Sequence, residues 1–157
     1  WMRSIRRYYE WLDLLKQIEN DRKTRIETGV SEMVGGGGIL VGDPTTAADR
    51  QNVIDQIPEM EGYKSTSYSL ATAEKLLDFK PISVVAGISP RAIMYIAAEL
   101  DSVTPAEGVV DMFEETLEPK KLWVIPEAAH YDVYRDDLKE HIWNMSVDWF
   151  KEHLLID

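Results

Sequence analysis

The chain has 157 residues, the length of one domain, and its 45% hydrophobic and 29% charged residues are typical of a soluble globular protein. The net charge of -11 leaves no broad basic surface for phosphates, so nucleic acid is not expected as a partner. The absence of cysteine excludes disulfides, thiol nucleophiles and thiolate zinc sites. No apolar run approaches the roughly 20 residues of a membrane span. There is also no signal-peptide pattern, so no membrane is expected. A cytoplasmic location is expected on the same ground, and any targeting signal would be missing together with residues upstream of Trp1.

The first predicted element is a long helix. Apolar residues recur every three or four positions across residues 3–27, and Gly29 follows as a stop. The glycine-rich segment 31–44 resembles a phosphate-binding loop only in its glycines, because no Gly-Lys-Ser/Thr follows them. We therefore predict a flexible loop over residues 31–44.

Two further helices are predicted before the sequence changes character. Asp43 caps a helix that has proline in its first turn and ends near Ile57. A loop over residues 58–65 separates it from a helix that begins at Ser67 or Ser69. The apolar face of that helix consists of Leu70, Ala73, Leu76, Leu77 and Phe79.

The C-terminal half is predicted to alternate strands and helices. Residues 91–98 and 121–126 are continuous apolar runs of strand length, which is typical of parallel strands buried on both faces. One helix begins at Pro105 and a second spans residues 136–154. The predicted inward-facing residues of the two helices are Val109, Val110, Met112 or Phe113, Leu117, Leu138, Ile142, Met145, Trp149 and Phe150, while His141 and His153 are predicted to face solvent. This order gives one right-handed crossover unit and its covering helix.

Two parallel strands do not form a stable sheet, because three or more strands with covered faces are needed. The upstream helices supply no further convincing strand. We therefore expect residues outside this chain to complete the sheet. The chain also opens with Trp1 inside an apparent helix, from which we expect an upstream segment.

Candidate catalytic residues follow the two predicted strands. Asp101 comes after the first strand and His130 after the second. Ligands of open parallel sheets bind beyond the carboxyl ends of the strands, where these two residues would be neighbours. A carboxylate there can accept the imidazole Nδ1–H and leave Nε2 free as a base. Each residue taken alone also has a non-catalytic interpretation: His130 as a solvated loop histidine, and Asp101 as a helix-capping aspartate.

Three segments resemble the C-terminal part of α/β-hydrolases, closest to the dienelactone-hydrolase and esterase-like branch. They are I-S-P-R-A at 88–92, E-L-D-S-V-T-P at 99–105 and K-K-L-W-V-I-P-E-A-A-H-Y-D at 120–132. The resemblance extends over residues 66–155 and is looser over 1–65. It implies an α/β fold in which a helical cap, residues 1–80, precedes the last two parallel strands and their helices, residues 81–157.

The resemblance also implies functional roles. Asp101 matches the acid of a Ser-His-Asp triad, and His130 matches its base. The sequence departs from the family at Glu127-Ala128-Ala129-His130, where the pattern is often Gly-x-Gly-His, and at Ala98, where glycine often precedes the acidic residue before the triad aspartate. Both departures replace a flexible residue, so we expect some change of loop geometry and no lost catalytic group.

The nucleophile elbow Gly-x-Ser-x-Gly does not occur in this sequence. Ser89, in Gly-Ile-Ser-Pro-Arg, enters the first strand and is predicted to lie at the opposite edge of the sheet from Asp101. Ser102 is near the acid and is predicted to cap a helix. In the family the elbow lies upstream of the cap, so the resemblance implies that the N-terminal half, as an upstream segment or a second chain, supplies the serine and the oxyanion hole.

Three functions remain open from the sequence. The first is a serine hydrolase that cleaves an ester, thioester or amide carbonyl once its missing half is present. The second is a non-catalytic hydrolase-like scaffold or interaction module. The third is a dehalogenase-like hydrolase that uses an aspartate nucleophile.

Candidate substrate-binding residues come chiefly from the cap. They are Tyr8, Trp11, Leu12, Leu15, Tyr63 and Tyr68, together with Val103 beside the acid. Their alternative interpretation is packing between cap and sheet. Three histidines far apart give no metal-binding spacing, so neither a metal nor another cofactor is predicted. A small-molecule substrate is expected, and a homo-oligomer is compatible with the sequence.

Overall fold

The computed structural model of the protein describes residues 2, 3, 5–57 and 67–154. The chain divides into two compact units, Trp1–Phe79 and Lys80–Asp157, which are described separately. The loop predicted over residues 58–65 lies outside the described residues, as does Tyr63. The assignment of the first unit as a cap stays a prediction.

The first unit is mainly helical and contains a short antiparallel pair of strands. Its helices are α1 (Tyr8–Thr28), α2 (Gly36–Ile39), α3 (Pro44–Gln56) and α4 (Leu70–Asp78), and its strands are β1 (Met33–Gly35) and β2 (Ser67–Ser69). Val34 of β1 lies opposite Tyr68 of β2. Its buried core consists of Met2, Leu14, Ile18, Ile39, Leu70 and Ala73.

Local backbone interactions set the two ends of α1. The helix begins at Tyr8 and not at residue 3, and the Glu10 carboxylate accepts the backbone N–H of Arg7 at 2.8 Å to close its first turn. It ends as predicted at Gly29, whose φ of 74° lies in the left-handed region that glycine adopts without a steric penalty.

The prediction of a flexible loop over residues 31–44 is wrong, because this segment contains β1 and α2. Ile39 is only 1% exposed and joins the core of the unit. The buried Arg6 guanidinium donates to the carbonyl of Ile39 at 2.6 Å and to that of Gly38 at 3.2 Å. Pairing with β2 and contact with Arg6 thus order a glycine-rich segment that has little local preference for structure.

The other two helices begin where predicted. Asp43 precedes α3 and accepts the backbone N–H groups of Thr45 and Thr46, and Ser69 precedes α4. The apolar face predicted for α4 is confirmed at the buried Leu70 and Ala73. It is wrong at Leu76, which is exposed, and at Phe79, which lies beyond the helix and is 71% exposed.

A buried carboxylate connects α1 to its neighbours. The Asp21 side chain is fully buried, and it accepts the backbone N–H of Glu32 at 2.7 Å and the hydroxyl of Ser31 at 2.9 Å. Arg25 donates to Asp21 at 2.8 Å and also pairs with Glu74 of α4. Burial acts to raise the pKa of Asp21, but the hydrogen bonds from Glu32, Arg25 and Ser31 outweigh it and lower the pKa.

The second unit contains a parallel strand pair between two helices, as predicted. Its elements are β3 (Ile93–Ala98), α5 (Ala106–Glu115), β4 (Lys120–Ile125) and α6 (Asp136–Leu154), and short 3₁₀ turns span Pro81–Ser83, Val85–Ile88 and Asp132–Tyr134. The strands pair in parallel from Ile93 beside Lys120 to Ala98 beside Ile125. In the described part of the chain this sheet has two strands.

Alternation along the strands assigns one helix to each face of the sheet. On one face Tyr95 meets the Phe113 ring of α5 edge-on, and its hydroxyl hydrogen-bonds to that of the buried Thr116 at 2.6 Å. On the other face Ala98 and Ile125 form a core with residues of α6 and its preceding turn. The half-buried members of that core are Ile96, Trp123, Val133, Leu138 and Ile142.

Three details of the second unit differ from prediction. Leu117 lies beyond the end of α5 and is 56% exposed, and Phe150 on α6 is 57% exposed, so neither faces inward. His153, predicted to face solvent, is half-buried, and its ring centroid lies 4.0 Å from the ring centroid of Trp149. The exposed position of His141 agrees with the prediction.

Asp21→Ala is expected to lower the free energy of unfolding by about 3 kcal/mol, because it leaves buried donors without their charged partner. Urea denaturation of the protein at neutral pH measures the change. Glu19→Gln is the matched control, since Glu19 pairs with Lys23 on the exposed face of the same helix, and it should leave the urea midpoint unchanged.

The contribution of Asp21 should also depend on pH. Its folded-state pKa lies below the unfolded value, so its contribution is complete well above about pH 4 and is lost as the pH falls through the lowered folded pKa. The difference in unfolding free energy between the wild type and Asp21→Ala should therefore shrink in acid. A difference that grows as the pH falls would contradict the structural role of the ionised carboxylate.

Candidate active site

The parallel register brings two loops together at the carboxyl ends of β3 and β4. Beyond the last pair, Ala98 and Ile125, the backbone N–H of Glu99 donates to the carbonyl of Ile125 at 3.0 Å. The N–H of Leu100 then donates to the carbonyl of Ala128 at 2.8 Å. The two loops are thus joined by backbone hydrogen bonds before either reaches its candidate catalytic residue.

Asp101 and His130 are in direct contact across these loops. Nδ1 of His130 lies 2.7 Å from Oδ2 of Asp101, and the carboxylate side chain is only 8% exposed. With its proton on Nδ1, the imidazole donates to the carboxylate, which fixes the tautomer and the ring orientation. Among the described residues no hydrogen bond involves Nε2, so this nitrogen is available to accept a proton. The pairing predicted at the strand ends is therefore present, and the catalytic roles stay a prediction.

The turn after β3 holds the Asp101 carboxylate. Oδ1 accepts the backbone N–H groups of Val103 at 2.8 Å and Thr104 at 2.7 Å, and Oδ2 accepts the Thr104 hydroxyl at 2.9 Å. Burial acts to raise the pKa of Asp101, but the bonds from Thr104, His130 and Val103 outweigh it and lower the pKa. Asp101 therefore stays ionised beside the imidazole.

Thr104 is the residue of this turn that the sequence interpretation missed. Its hydroxyl lies 2.9 Å from Asp101 Oδ2 and 3.4 Å from His130 Nδ1. The signal was the Asp-x-x-Thr spacing, which is typical of a side chain that accepts from the turn it begins. The prediction that Ser102 caps α5 is wrong, because Pro105 occupies the cap position.

The loop that carries His130 has its own supports. The backbone N–H of Ala129 donates to Asp132 at 2.9 Å, and Asp132 pairs with Arg135 at 2.8 Å. Glu127 has a φ of 56° and is the one described non-glycine residue in the left-handed region. That conformation costs about 1–2 kcal/mol for a residue with a Cβ. It occurs at the first position of Glu-Ala-Ala-His, where the pattern that this segment resembles often has glycine, so glutamate adopts a strained conformation that glycine would adopt without strain.

Ser89 lies at the other end of the strand, as predicted. It precedes β3, and its hydroxyl donates to the carbonyl of Glu118, just before β4. Asp101 follows the same strand, which at roughly 3.3 Å per residue separates the two ends by well over any hydrogen-bond distance. Ser89 therefore cannot serve as nucleophile to His130.

The predicted substrate residues are placed differently from one another. Tyr8 and Leu12 are exposed on α1, where the Arg3 guanidinium lies 5.3 Å from the Tyr8 ring centroid, and Tyr68 is 42% exposed on β2. Trp11 packs against the core and lines a cleft of about 490 Å³ within the first unit. Val103 is half-buried in the turn beside Asp101. Leu15 is also exposed, and substrate binding by any of these residues stays a prediction.

The described residues, 2, 3, 5–57 and 67–154, contain neither a metal-binding cluster nor a membrane-spanning helix. No group of three or more His, Asp or Glu side chains is arranged to hold a metal ion there. Within the same residues, every helix is too short or too polar to cross a membrane.

Comparison with known protein sequences identifies partial relatives. The chain is 35% identical over 86 residues to the polyketide transferase grgF of Penicillium sp., an alignment that covers 55% of this chain and 29% of grgF. It is 27% identical over 145 residues to an uncharacterized 31.7 kDa protein of the traX-finO intergenic region of Escherichia coli, covering 92% of this chain and 48% of that protein. No family model matches. The chain thus spans at most about half the length of these relatives.

Comparison with solved structures identifies the fold. The crystal structure of the α/β hydrolase GrgF from Penicillium sp. sh18 aligns with a TM-score of 0.67 and 25% identity, covering 92% of this chain and 50% of GrgF. A monoacylglycerol lipase of Paleococcus ferrophilus aligns with a TM-score of 0.58 and 17% identity, covering 87% of this chain and 51% of the lipase. The chain therefore has part of an α/β-hydrolase fold, which confirms the resemblance to that superfamily that the sequence indicates.

Proposed function

We propose that this chain is the cap and C-terminal segment of a serine hydrolase that cleaves an ester, thioester or amide carbonyl through a Ser-His-Asp triad. Asp101 is the triad acid and His130 the base. The serine belongs to the N-terminal half of the same fold, supplied upstream or by a second chain. The observation that carries the proposal is the 2.7 Å contact between His130 Nδ1 and Asp101 Oδ2 at the ends of neighbouring parallel strands. The α/β-hydrolase folds of the structural neighbours support a hydrolase of a general kind.

The geometry supports a two-step acyl transfer. His130 Nε2 removes the proton of the serine hydroxyl as its oxygen attacks the carbonyl carbon, and the resulting imidazolium gives that proton to the leaving group. Water then attacks the acyl-enzyme in the same way, releasing the acid and restoring the serine. Asp101 stays ionised throughout and stabilises the imidazolium, which agrees with its lowered pKa.

A transferase is the second candidate, because the 35% identical relative from Penicillium is named a polyketide transferase. The same triad would form the same acyl-enzyme, and an alcohol, amine or thiol acceptor would replace water. Adding a small alcohol to the assay distinguishes the two candidates. A hydrolase is expected to release mainly the free acid, and a transferase is expected to release mainly the new ester.

His130→Ala in the complete protein is expected to lower kcat by about 10⁴-fold or more on an activated acyl ester, because triad members act as a unit. His141→Ala, which removes an exposed histidine of α6, is the control and should retain wild-type kcat. Turnover of His130→Ala within a few-fold of the wild type would exclude His130 as the base.

A fluorophosphonate probe, which labels activated serines, is expected to modify one serine of the complete protein. Peptide mapping should place it in a Gly-x-Ser-x-Gly sequence outside these 157 residues, and His130→Ala should abolish the labelling. Label on Ser89 or Ser102 would contradict the proposed division of the triad. Absence of any labelled serine would instead favour the aspartate nucleophile or the non-catalytic scaffold.

A further inference from the structure

We propose that Glu99 is a positioning residue for His130, an inference that rests on the function proposed above. Oε2 of Glu99 accepts the backbone N–H of Glu127 at 2.8 Å. This hydrogen bond connects the loop that carries Asp101 to the loop that carries His130. Glu99 does not contact His130 itself in the described structure. It acts on the segment that leads from the end of β4 to the imidazole.

The segment that Glu99 holds is the strained part of that loop. Glu127 is left-handed, with a φ of 56°, and lies three positions before His130. A residue with a Cβ prefers negative φ, and a change there would rotate the chain that follows it. Because the carbonyls of Ile125 and Ala128 are held on either side, φ of Glu127 can change only through a flip of the peptide group between residues 126 and 127. The hydrogen bond from the Glu127 N–H to the Glu99 carboxylate opposes that flip, because it is made only when this peptide group points toward Glu99.

Hydrogen bonds on either side of Glu127 show how the two loops are connected. The backbone N–H of Glu99 binds the carbonyl of Ile125, and that of Leu100 binds the carbonyl of Ala128. Both bonds use carbonyl groups of the second loop. The Glu99 carboxylate fixes the peptide N–H between those carbonyls, so residues 125, 127 and 128 are all held by Glu99 and Leu100.

Because Glu99 is exposed, the loss of its carboxylate is expected to affect the position of His130 more than the stability of the fold. The side chain is exposed, so water competes for its hydrogen bond and the bond adds little to the free energy of unfolding. The position of the imidazole is more sensitive, because a displacement of about 1 Å from a reactive geometry can cost up to 10²-fold in rate. Loss of the carboxylate should therefore change catalysis more than stability.

Glu99→Ala in the complete protein is expected to lower kcat roughly 10-fold with KM changed less than about 2-fold and the melting temperature unchanged. Glu99→Gln should retain most of the wild-type kcat, since its amide oxygen can accept the same N–H. Glu114→Ala, which removes an exposed carboxylate of α5, is the matched control. Wild-type kcat in Glu99→Ala, or an equal loss in Glu99→Gln, would overturn the inference.

A second variant tests whether Glu99 acts through the left-handed residue. Glycine adopts positive φ without a steric penalty, so in a Glu127→Gly background the hydrogen bond that the N–H of residue 127 donates to residue 99 is no longer required. Glu99→Ala is then expected to cost less than about 2-fold in kcat, which is a coupling between the two positions. An equal loss in both backgrounds would overturn the proposed route of action.

The same assay keeps this inference separate from the proposed function. If His130→Ala retains activity, the triad assignment fails, and with it the meaning of any effect at Glu99. If His130→Ala is inactive while Glu99→Ala has wild-type kcat, the triad stands and the positioning role of Glu99 alone is refuted.

Discussion

The parallel register of β3 and β4 is the constraint on which the candidate site depends. Ala98 lies beside Ile125, so the chain leaves both strands at the same level and the two loops run side by side. A shift of one residue would move the loops by about 3.3 Å and turn every side chain of a strand to the other face. The 2.7 Å contact between Asp101 and His130 exists only in the observed register.

Packing fixes that register from both faces of the sheet. Tyr95 contacts Phe113 on α5 and Thr116 directly after it, and Ile96 packs into the core shared with α6. A slipped strand would lose both sets of contacts. The core under α6 also includes Ala128, which is buried two residues before His130. The same apolar burial that orders the sheet therefore orders the loop of the candidate base.

The sequence predicted those parts of the fold whose signals are local or repeated. Continuous apolar runs indicated β3 and β4, and the rule that ligands bind beyond strand ends brought Asp101 and His130 together. The same reasoning missed β1, β2 and α2, because pairing of residues 33–35 with 67–69 and the contact of Arg6 with Ile39 join distant parts of the chain. The bond between Glu99 and Glu127 was missed for a different reason, since left-handed backbone at a glutamate has no signature in sequence.

Two aspartates of this chain with buried side chains differ in their charged partner, and the partner decides whether the carboxylate can serve only stability or also proton transfer. Asp21 accepts one backbone N–H group and Asp101 accepts two, and each also accepts a hydroxyl. In both aspartates the hydrogen bonds lower the pKa against the effect of burial. Asp21 pairs with Arg25, a permanent cation, so near neutral pH the two charges stay paired and no proton moves between the two side chains. Asp101 faces an imidazole, which is neutral until it takes a proton from another group. A carboxylate that is held ionised by its own turn, beside a ring that can become positive, stabilises that ring most when the proton arrives, and this is the role that we propose for Asp101.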